Sequence, residues 1–466
     1  MLSLLANNRN IPSISEAMIE EKLNATTGEI TNFIRAVKGE FVPQGPSGAP
    51  SRGNAHILPT GRNFYMIDPA AIPTRAAWIT GIRLADDLLK KHKDDQGSEP
   101  LRSSWPESIA IVVYSGDTIE TTGDDIAEIM YLYGVRPVWL GNTDRIIGLE
   151  VIPLEELKRP RIDVTLRIIG LFRDTFPNLI ERIEDAVNLV ATLEEPYEQN
   201  FVKKHINDDI RKFMDDGLNR EQAFEMARLR VFGCPAGTYG AGVDIMVNSK
   251  KWETPEDLGK AYINWSSHAY NSKNHGTKLQ KVFERRLSQV DVTVKNICSV
   301  ESDMFDDDDY YNYHGGLIST IKSQRGKAPI SYSTNAGDPE KVQTRTIRED
   351  ASRIMRARIA NPKWANGLMG HGYRGAQELS LMVDIVFGWD ATSEVVDNWM
   401  YDMIAEKYLL SDEIREWIEE VNPWALHAMC ERMLEASQRG MWDASEDILS
   451  RLKNIFLSTE GELEGR

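Results

Sequence analysis

Short apolar runs that alternate with helical patterns constrain the fold of this chain more than any other feature. IAIVVYS (109–115) is a β-branched run, TGDDIAEIMYLYG (122–134) has helical spacing, and VRPVWLG (135–141) has the composition of a second strand. This order predicts a βαβ unit with a parallel sheet. RIDVTLRIIGLF (161–172) predicts a further strand that leads into a helix. The strand ends after Ser115 and before Phe172 are then expected to face a ligand.

The rest of the chain extends this pattern into an α/β fold. We predict a parallel-sheet subdomain plus a mixed α/β region and a C-terminal α-helical bundle. A length of 466 residues is enough for two or three domains with sizeable cores. The predicted regions are a helical and Gly/Pro-rich loop region at 1–99, the α/β subdomain at 100–199, a mixed region with Gly-rich and acidic loops at 200–345, and a helical region at 346–466.

Composition narrows the range of partners and compartments. The 54 basic residues against 71 acidic ones give a net charge of −17, which argues against nucleic acid as a partner. Cys234, Cys298 and Cys430 are too far apart for a paired-cysteine zinc motif or a dense disulfide framework, which suits a reducing cytoplasm. The opening residues lack a signal-peptide pattern, and no run approaches the ~20 apolar residues of a membrane span. We therefore expect a cytoplasmic protein.

One segment, VESDMFDDDDYYNYHGGL (300–317), concentrates groups that can bind a metal ion. Glu301, Asp303 and the aspartates at 306–309 offer hard oxygen ligands, and His314 would favour a transition metal over magnesium. The offsets of an EF-hand are missing. A run of like charges is also typical of a solvated surface, so the composition leaves both interpretations open.

The tyrosines of the same segment point to a second role. Tyr310 and Tyr311 stand beside carboxylates, an arrangement that can line a pocket for a flat ligand. Elsewhere in the chain, Arg52 and Arg62 lie beside glycines in a loop that also carries Tyr65. Ordered glycine-rich loops of this kind are often functional.

A glycine-rich segment near residue 370 resembles a nucleotide-binding motif only in its letters. GHGYRG (370–375) satisfies G-x-G-x-x-G, but a helical pattern precedes it where that motif requires a strand. His371 between two glycines and Glu378 in the following helical turn remain candidates for substrate contact. The sequence contains no G-x-x-x-x-G-K-[ST], so we expect no ATP hydrolysis by this chain alone.

Several separated motifs resemble one protein family and occur in the order found there. They are GPSGAPSRG, LPTGRNFYMIDPAAIPTRAAW, RVFGCPAGTYGAGV, DMFDDDDYYNYHGG, NPKWANGLMGHGYRGAQELS, VFGWDAT and VNPWALHAMCERMLEASQRGMW. The chain resembles the C-terminal part of the large subunit of cobaltochelatase, in a family shared with the large subunit of magnesium chelatase. An upstream family motif, His-Gly-Thr-x-Glu-Trp-Leu-Pro-Gly, is absent, and HGTKL (275–279) shares only its first three letters. The resemblance therefore implies a fragment or one half of a split subunit.

The resemblance also implies an activity. Members of this family bind a tetrapyrrole and take part in metal insertion, while AAA+ ATPase motor subunits bind ATP and Mg²⁺. We expect a ligase-type chelatase subunit in cobalamin biosynthesis. It would insert Co²⁺ into a corrin precursor of the hydrogenobyrinic acid a,c-diamide type and would be inactive without the N-terminal part and the motor partners. Magnesium or nickel chelation, a non-catalytic tetrapyrrole scaffold and a degenerate paralogue are the alternatives.

Site roles follow from the chemistry of metal insertion into a macrocycle with acidic arms. Arg52 and Arg62 would clamp those arms, since guanidinium pairs bidentately with carboxylate. The tyrosines at 65, 310 and 311 would contact the ring. Glu301, Asp303 and His314 would deliver the metal, and His314, His371 and Glu378 would serve as acid–base groups.

Overall fold

A computed structural model describes residues 16–48, 57–65, 67–97, 105–299 and 302–465. The strands in chain order are β1 Gln44–Pro46, β2 Asn63–Tyr65, β3 Ser108–Val113, β4 Val135–Trp139, β5 Ile146–Val151, β6 Asp163–Ile168, β7 Val231–Gly233, β8 His268–Tyr270, β9 His275–Lys278, β10 Val292–Ile297, β11 Ile330–Asn335 and β12 Gln343–Thr346.

Helices fill most of the sequence between and after these strands. The α-helices are α1 Glu16–Asn24, α2 Gly28–Val37, α3 Arg75–Gln96, α4 Ser115–Thr121, α5 Asp124–Tyr133, α6 Leu154–Leu157, α7 Gly170–Thr175, α8 Pro177–Ala191, α9 Phe201–Asp215, α10 Arg220–Ala227, α11 Val243–Asn248, α12 Pro255–Ser266, α13 Gln280–Leu287, α14 Asp308–Tyr310, α15 Gly316–Arg325, α16 Ile347–Ile354, α17 Pro362–Met369, α18 Gly372–Ser393, α19 Asn398–Ile404, α20 Asp412–Val421, α21 Pro423–Gln438 and α22 Glu446–Glu464. Segments of π-helix occur at Tyr311–Gly315, Met355–Ile359 and Ala405–Leu409, and 3-10 turns at Ala25–Thr27 and Pro69–Ala71.

An eight-stranded mixed sheet forms the centre of the molecule. Its strand order is β12-β11-β10-β3-β6-β7-β8-β9. The five strands from β11 to β7 are parallel, and antiparallel strands extend the sheet on both sides. All residues of β3, β6 and β10 are buried because helices cover both faces. The sequence of β3, SIAIVV, is accordingly a nearly continuous apolar run, whereas β6 (DVTLRI) and β10 (VTVKNI) also bury polar and charged side chains.

The order of the strands creates a topological switch point between β3 and β10. From β3 the chain adds β6 and then β7 on one side, and later places β10 and β11 on the other. In open α/β sheets a ligand commonly binds in the crevice outside the carboxyl ends of the strands at such a point. Here that crevice lies after Val113 and Ile297, where β3 and β10 end.

The prediction of a parallel βαβ unit over residues 109–141 is wrong in its second strand. β4 pairs with β5 in a separate antiparallel hairpin, and the parallel neighbours of β3 are β6 and β10. Pro137 supplies the physical reason, because proline has no N–H to donate and is excluded from the interior of a sheet. The predicted strand and helix over 161–195 are confirmed as β6 and α8.

The central sheet also crosses the predicted boundary at residue 199. It takes β3 and β6 from one side of that boundary and β7 to β12 from the other, so the two regions share one sheet. From Ile347 to Glu464 the described residues form only helices and the turns between them. Across the described ranges, no helix combines the length and apolarity needed to cross a membrane.

Candidate functional site at the carboxyl edge of the sheet

A buried lysine lies at the switch point between β3 and β10. Lys295 is near the end of β10, and its ammonium group pairs with Asp117 of α4, the helix that follows β3. The same group lies 4.3 Å from the centre of the Tyr114 ring. Burial lowers the pKa of Lys295, but the charges of Asp117 and Asp125 outweigh it and raise the pKa overall. The lysine therefore carries a fixed positive charge at the floor of the crevice.

A carboxyl and amide network adjoins this lysine. Asn296 Nδ2 donates to Asp125 Oδ1 at 2.9 Å and to Glu128 Oε2 at 2.5 Å. Glu128 is fully buried. Burial, together with the charge of Asp125, raises its pKa to about 8. Glu128 is therefore a neutral carboxylic acid at pH 7 that can exchange its proton close to neutrality.

Four polar atoms around the ends of β3 and β10 are buried and have no hydrogen-bond partner among the described residues. They are the Tyr114 hydroxyl, Ser115 Oγ, Glu128 Oε1 and Asn296 Oδ1. Almost all buried polar atoms in native proteins are paired, and exceptions often mark functional sites. These atoms make the switch point a candidate site for a polar ligand.

Aromatic rings cover the same edge. Tyr310 is 9 % exposed and stacks on Tyr114 with ring centres 5.9 Å apart and an interplanar angle of 26°. Tyr313 meets Tyr114 edge-on at 5.7 Å, and the guanidinium of Arg167, near the end of β6, lies 4.9 Å from the Tyr313 ring centre. In this layer aromatic rings and buried cations lie side by side.

The acidic and aromatic segment 302–316 connects several of the sequence motifs at this edge. The Tyr313 hydroxyl accepts from the Gly240 N–H at 3.0 Å, which joins it to the glycine-rich turn after β7. Trp389 Nε1 donates to the Met304 carbonyl at 2.8 Å. Gly388 of the same helix lies so close to Tyr311 that a Cβ would sit 2.6 Å from its ring. Motifs that are far apart in sequence therefore meet in one place.

Asp303 and His314, two of the three predicted metal ligands, contact different partners in the structure. Asp303 pairs with Arg358 at 2.8 Å, and burial raises its pKa to about 6 although Arg358 partly offsets this. His314 is 2 % exposed, and its Nε2 lies 2.9 Å from Thr293 Oγ1. Burial and the charge of Lys295 lower the pKa of His314 to about 3, so it stays neutral. Glu301 lies outside the described residues.

No metal-binding group emerges from the described part of the chain. Within it, no three His, Cys, Asp or Glu side chains come together in a way that could hold an ion. The four aspartates of the run have different surroundings, since the first three are exposed and the last is half-buried. Asp306 pairs with Arg358, while burial and the charges of its two preceding neighbours raise the pKa of Asp309 to about 6.

The residues predicted to bind substrate or act as acid–base groups lie in different parts of the structure. Arg62 donates to the carbonyls of Pro59 and Ile57, at 2.9 and 2.6 Å, and so holds its own loop. Arg52 and the side chain of Tyr65 lie outside the described residues. Tyr310 joins the aromatic layer, whereas Tyr311 is 2 % exposed and packs within the core. His371 is exposed at the start of α18, and Glu378 pairs with Arg374 at 2.5 Å.

The residues closest to the switch point were not predicted from the sequence. Lys295 and Asn296 were hidden in VTVKNI, an otherwise apolar strand, and Glu128 in a buried helix. A lysine within such a strand was an available signal, because lysine is almost never fully buried unless it is paired. The crevice itself depends on strand order, which no local pattern encodes.

Comparison with known proteins agrees with these motifs. Residues 7–449 match the family described as CobN/Magnesium Chelatase. An uncharacterized protein of Methanocaldococcus jannaschii is 44 % identical over 96 % of this chain and 36 % of its own length. The aerobic cobaltochelatase subunit CobN of Pseudomonas aeruginosa is 40 % identical over 93 % of this chain and 34 % of its own.

A solved structure extends the similarity to the fold. The catalytic subunit of cobaltochelatase from Mycobacterium tuberculosis matches with a TM-score of 0.90 and 41 % identity, over 96 % of this chain and 37 % of that one. The chain thus spans about a third of the length of the relatives it matches. On the extent of these matches, the chain belongs to the CobN/magnesium chelatase family.

Proposed function

We propose that this chain is the C-terminal portion of the tetrapyrrole-binding large subunit of an ATP-dependent, ligase-type metal chelatase in the cytoplasm. Its substrates would be Co²⁺ and a corrin precursor of the hydrogenobyrinic acid a,c-diamide type. AAA+ partner subunits would bind ATP and Mg²⁺. Membership of the family supports the chelatase class, and the CobN relatives favour cobalt over magnesium.

The observation that carries this proposal is the group of unpartnered buried polar atoms beneath the aromatic layer. A tetrapyrrole presents a flat π surface, ring nitrogens that donate or accept hydrogen bonds, and acidic or amide arms. Tyr114 and Tyr310 offer ring surface, and the Tyr114 hydroxyl lacks a hydrogen-bond partner among the described residues. Lys295 and Arg167 supply positive charge near the arms.

Insertion of a divalent ion into the ring releases two protons from pyrrole nitrogens, so a chelatase needs nearby bases. Asp303 and Asp309 suit this role, since each has a pKa of about 6 and accepts a proton readily near neutrality. Glu301 and His371 remain proposed contributors to metal delivery and proton transfer, with Arg52 and Arg62 on the acidic arms.

The site is completed, in this proposal, by residues from the remainder of the large subunit. The chain spans about a third of its relatives, and its described part contains no cluster of three metal-ligating side chains. Metal insertion should therefore require this chain, the remaining portion and the motor subunits together. Co²⁺ insertion without the remaining portion would contradict the claim that the site is shared.

A conservative substitution tests the crevice directly. Tyr114→Phe removes a hydroxyl that has no hydrogen-bond partner among the described residues, so the melting temperature should not change. If that hydroxyl bonds the tetrapyrrole, the variant should bind hydrogenobyrinic acid a,c-diamide about three- to tenfold more weakly in an absorbance titration. Tyr373→Phe, at an exposed position, is the matched control. Equal affinity for wild type and Tyr114→Phe would remove the crevice from the binding site.

A further inference from the structure

Helix α2 carries a continuous row of exposed apolar side chains. Ile30, Phe33, Ile34 and Val37 follow the spacing i, i+3, i+4, i+7, so they lie on one side of the helix. They are 47–73 % exposed, and Phe41 just beyond the helix is 77 % exposed. We call these five residues the α2 face.

The α2 face has no counterpart within the described part of the chain. No residue of the ten-residue helix is buried. An isolated helix of this length is marginal in water, because most helical stability comes from packing one apolar face against a partner. Exposed apolar patches of this kind on a soluble protein mark interaction surfaces.

The helix is nonetheless held in place on its opposite side. Asn32 Nδ2 donates to the Gly61 carbonyl at 2.7 Å, and the Thr60 hydroxyl donates to Glu29. A Cβ at Gly61 would sit 2.6 Å from the Glu29 backbone, so the loop and the helix are in close contact. The apolar row is thereby presented outward on a helix with a defined position.

The structural comparison shows that most of a related subunit lies outside the region that this chain matches. The match to the cobaltochelatase catalytic subunit covers 96 % of this chain, and the uncovered part is smaller than the arm formed by residues 16–48 and 57–65. The match therefore includes arm residues. It occupies only 37 % of that subunit, so well over half of the larger chain is available to pack against the arm.

We propose that the α2 face binds the remainder of the chelatase large subunit, the portion to which this chain does not align. The inference rests on the proposed function for the identity of the partner. The partner surface would be an apolar groove, rimmed by charges that complement Arg35 and Glu40 at the edge of the face. Docking there would fix the arm and the glycine-rich loop against the rest of the site.

The test measures binding to a defined probe. The probe is the part of the Mycobacterium tuberculosis subunit outside the matched region, produced as a separate polypeptide whose cooperative thermal unfolding first shows that it folds on its own. Analytical ultracentrifugation and calorimetry with the full chain should give a 1:1 complex. Phe33→Glu/Val37→Glu should weaken it at least tenfold and leave the melting temperature unchanged, because both side chains are exposed.

A matched control removes similar apolar surface elsewhere. Ile147→Glu/Leu457→Glu changes two side chains that are each 61 % exposed on separate elements, and it should bind the probe like wild type. Absence of a wild-type complex, or equal weakening by both double variants, would overturn the proposal. The proposal would also be overturned if the wild-type chain formed a dimer that Phe33→Glu/Val37→Glu abolishes. It would likewise be overturned if the chain bound the probe only after residues 1–15 were deleted. Because no tetrapyrrole or metal is used, failure here is distinguishable from failure of the proposed function.

Discussion

Glu128→Gln tests whether the carboxyl beneath the switch point is held neutral. Glutamine keeps the size of the side chain and an oxygen to accept from Asn296. The wild-type carboxyl has a pKa of about 8 in the folded protein against an ordinary value of 4.5. Below pH 4.5 the Glu128 carboxyl is protonated in both the folded and the unfolded protein. As the pH rises toward 8 the unfolded chain releases its proton while the folded protein retains it, so stability falls by about 1.4 kcal/mol per pH unit.

The effect of Glu128 on stability is best measured as the change in unfolding free energy between two pH values. Between about pH 5.5 and 7.5 the unfolding free energy of wild type should fall by up to about 3 kcal/mol relative to Glu128→Gln. Urea unfolding of both proteins at each pH measures this, with Glu406→Gln as an exposed control. Infrared difference spectra should show a protonated carboxyl band near neutral pH in wild type that the variant lacks. Parallel pH dependences for wild type and Glu128→Gln would refute the assignment.

Three further substitutions test the packing that holds the site. Thr293→Val leaves the buried His314 nitrogen unpaired and should lower the free energy of unfolding by about 1–3 kcal/mol in urea titrations. Gly388→Ala places a methyl group 2.6 Å from the Tyr311 ring and should cost about 1–3 kcal/mol and lower the melting temperature. Arg358→Met unpairs two partly buried carboxylates and should cost about 1–2 kcal/mol at pH 7, an effect that shrinks below about pH 6 as Asp303 becomes protonated.

Local sequence patterns predicted the elements better than their pairing. The apolar runs at β3 and β6 and the helical pattern after Ile347 are present in the structure. Strand order was not predicted, because pairing depends on contacts between residues far apart in the sequence. β4 is the exception, because its residue Pro137 indicates from the local sequence that this strand does not belong in the interior of the central sheet.

Local patterns likewise identified some segments of the candidate site but not the contacts between distant residues. The acidic and aromatic segment and the strand end at Ser115 were identified from sequence, and both lie at the carboxyl edge. The network of Lys295 and Glu128 was missed, because a buried charged group is recognisable only through its partners. The burial of His314 likewise depends on packing against Trp389, 75 residues further along the chain, at 5.9 Å between ring centres.

The central claim is that a tetrapyrrole binds at the carboxyl edge between β3 and β10. Hydrogen–deuterium exchange with and without hydrogenobyrinic acid a,c-diamide tests it most directly. We predict slower exchange in residues 114–118 and 302–313, and no change at the opposite edge, where a cavity of about 490 Å³ is lined by His92, Lys204 and His205. Protection confined to that opposite edge, or none in either segment with the tetrapyrrole bound, would contradict it.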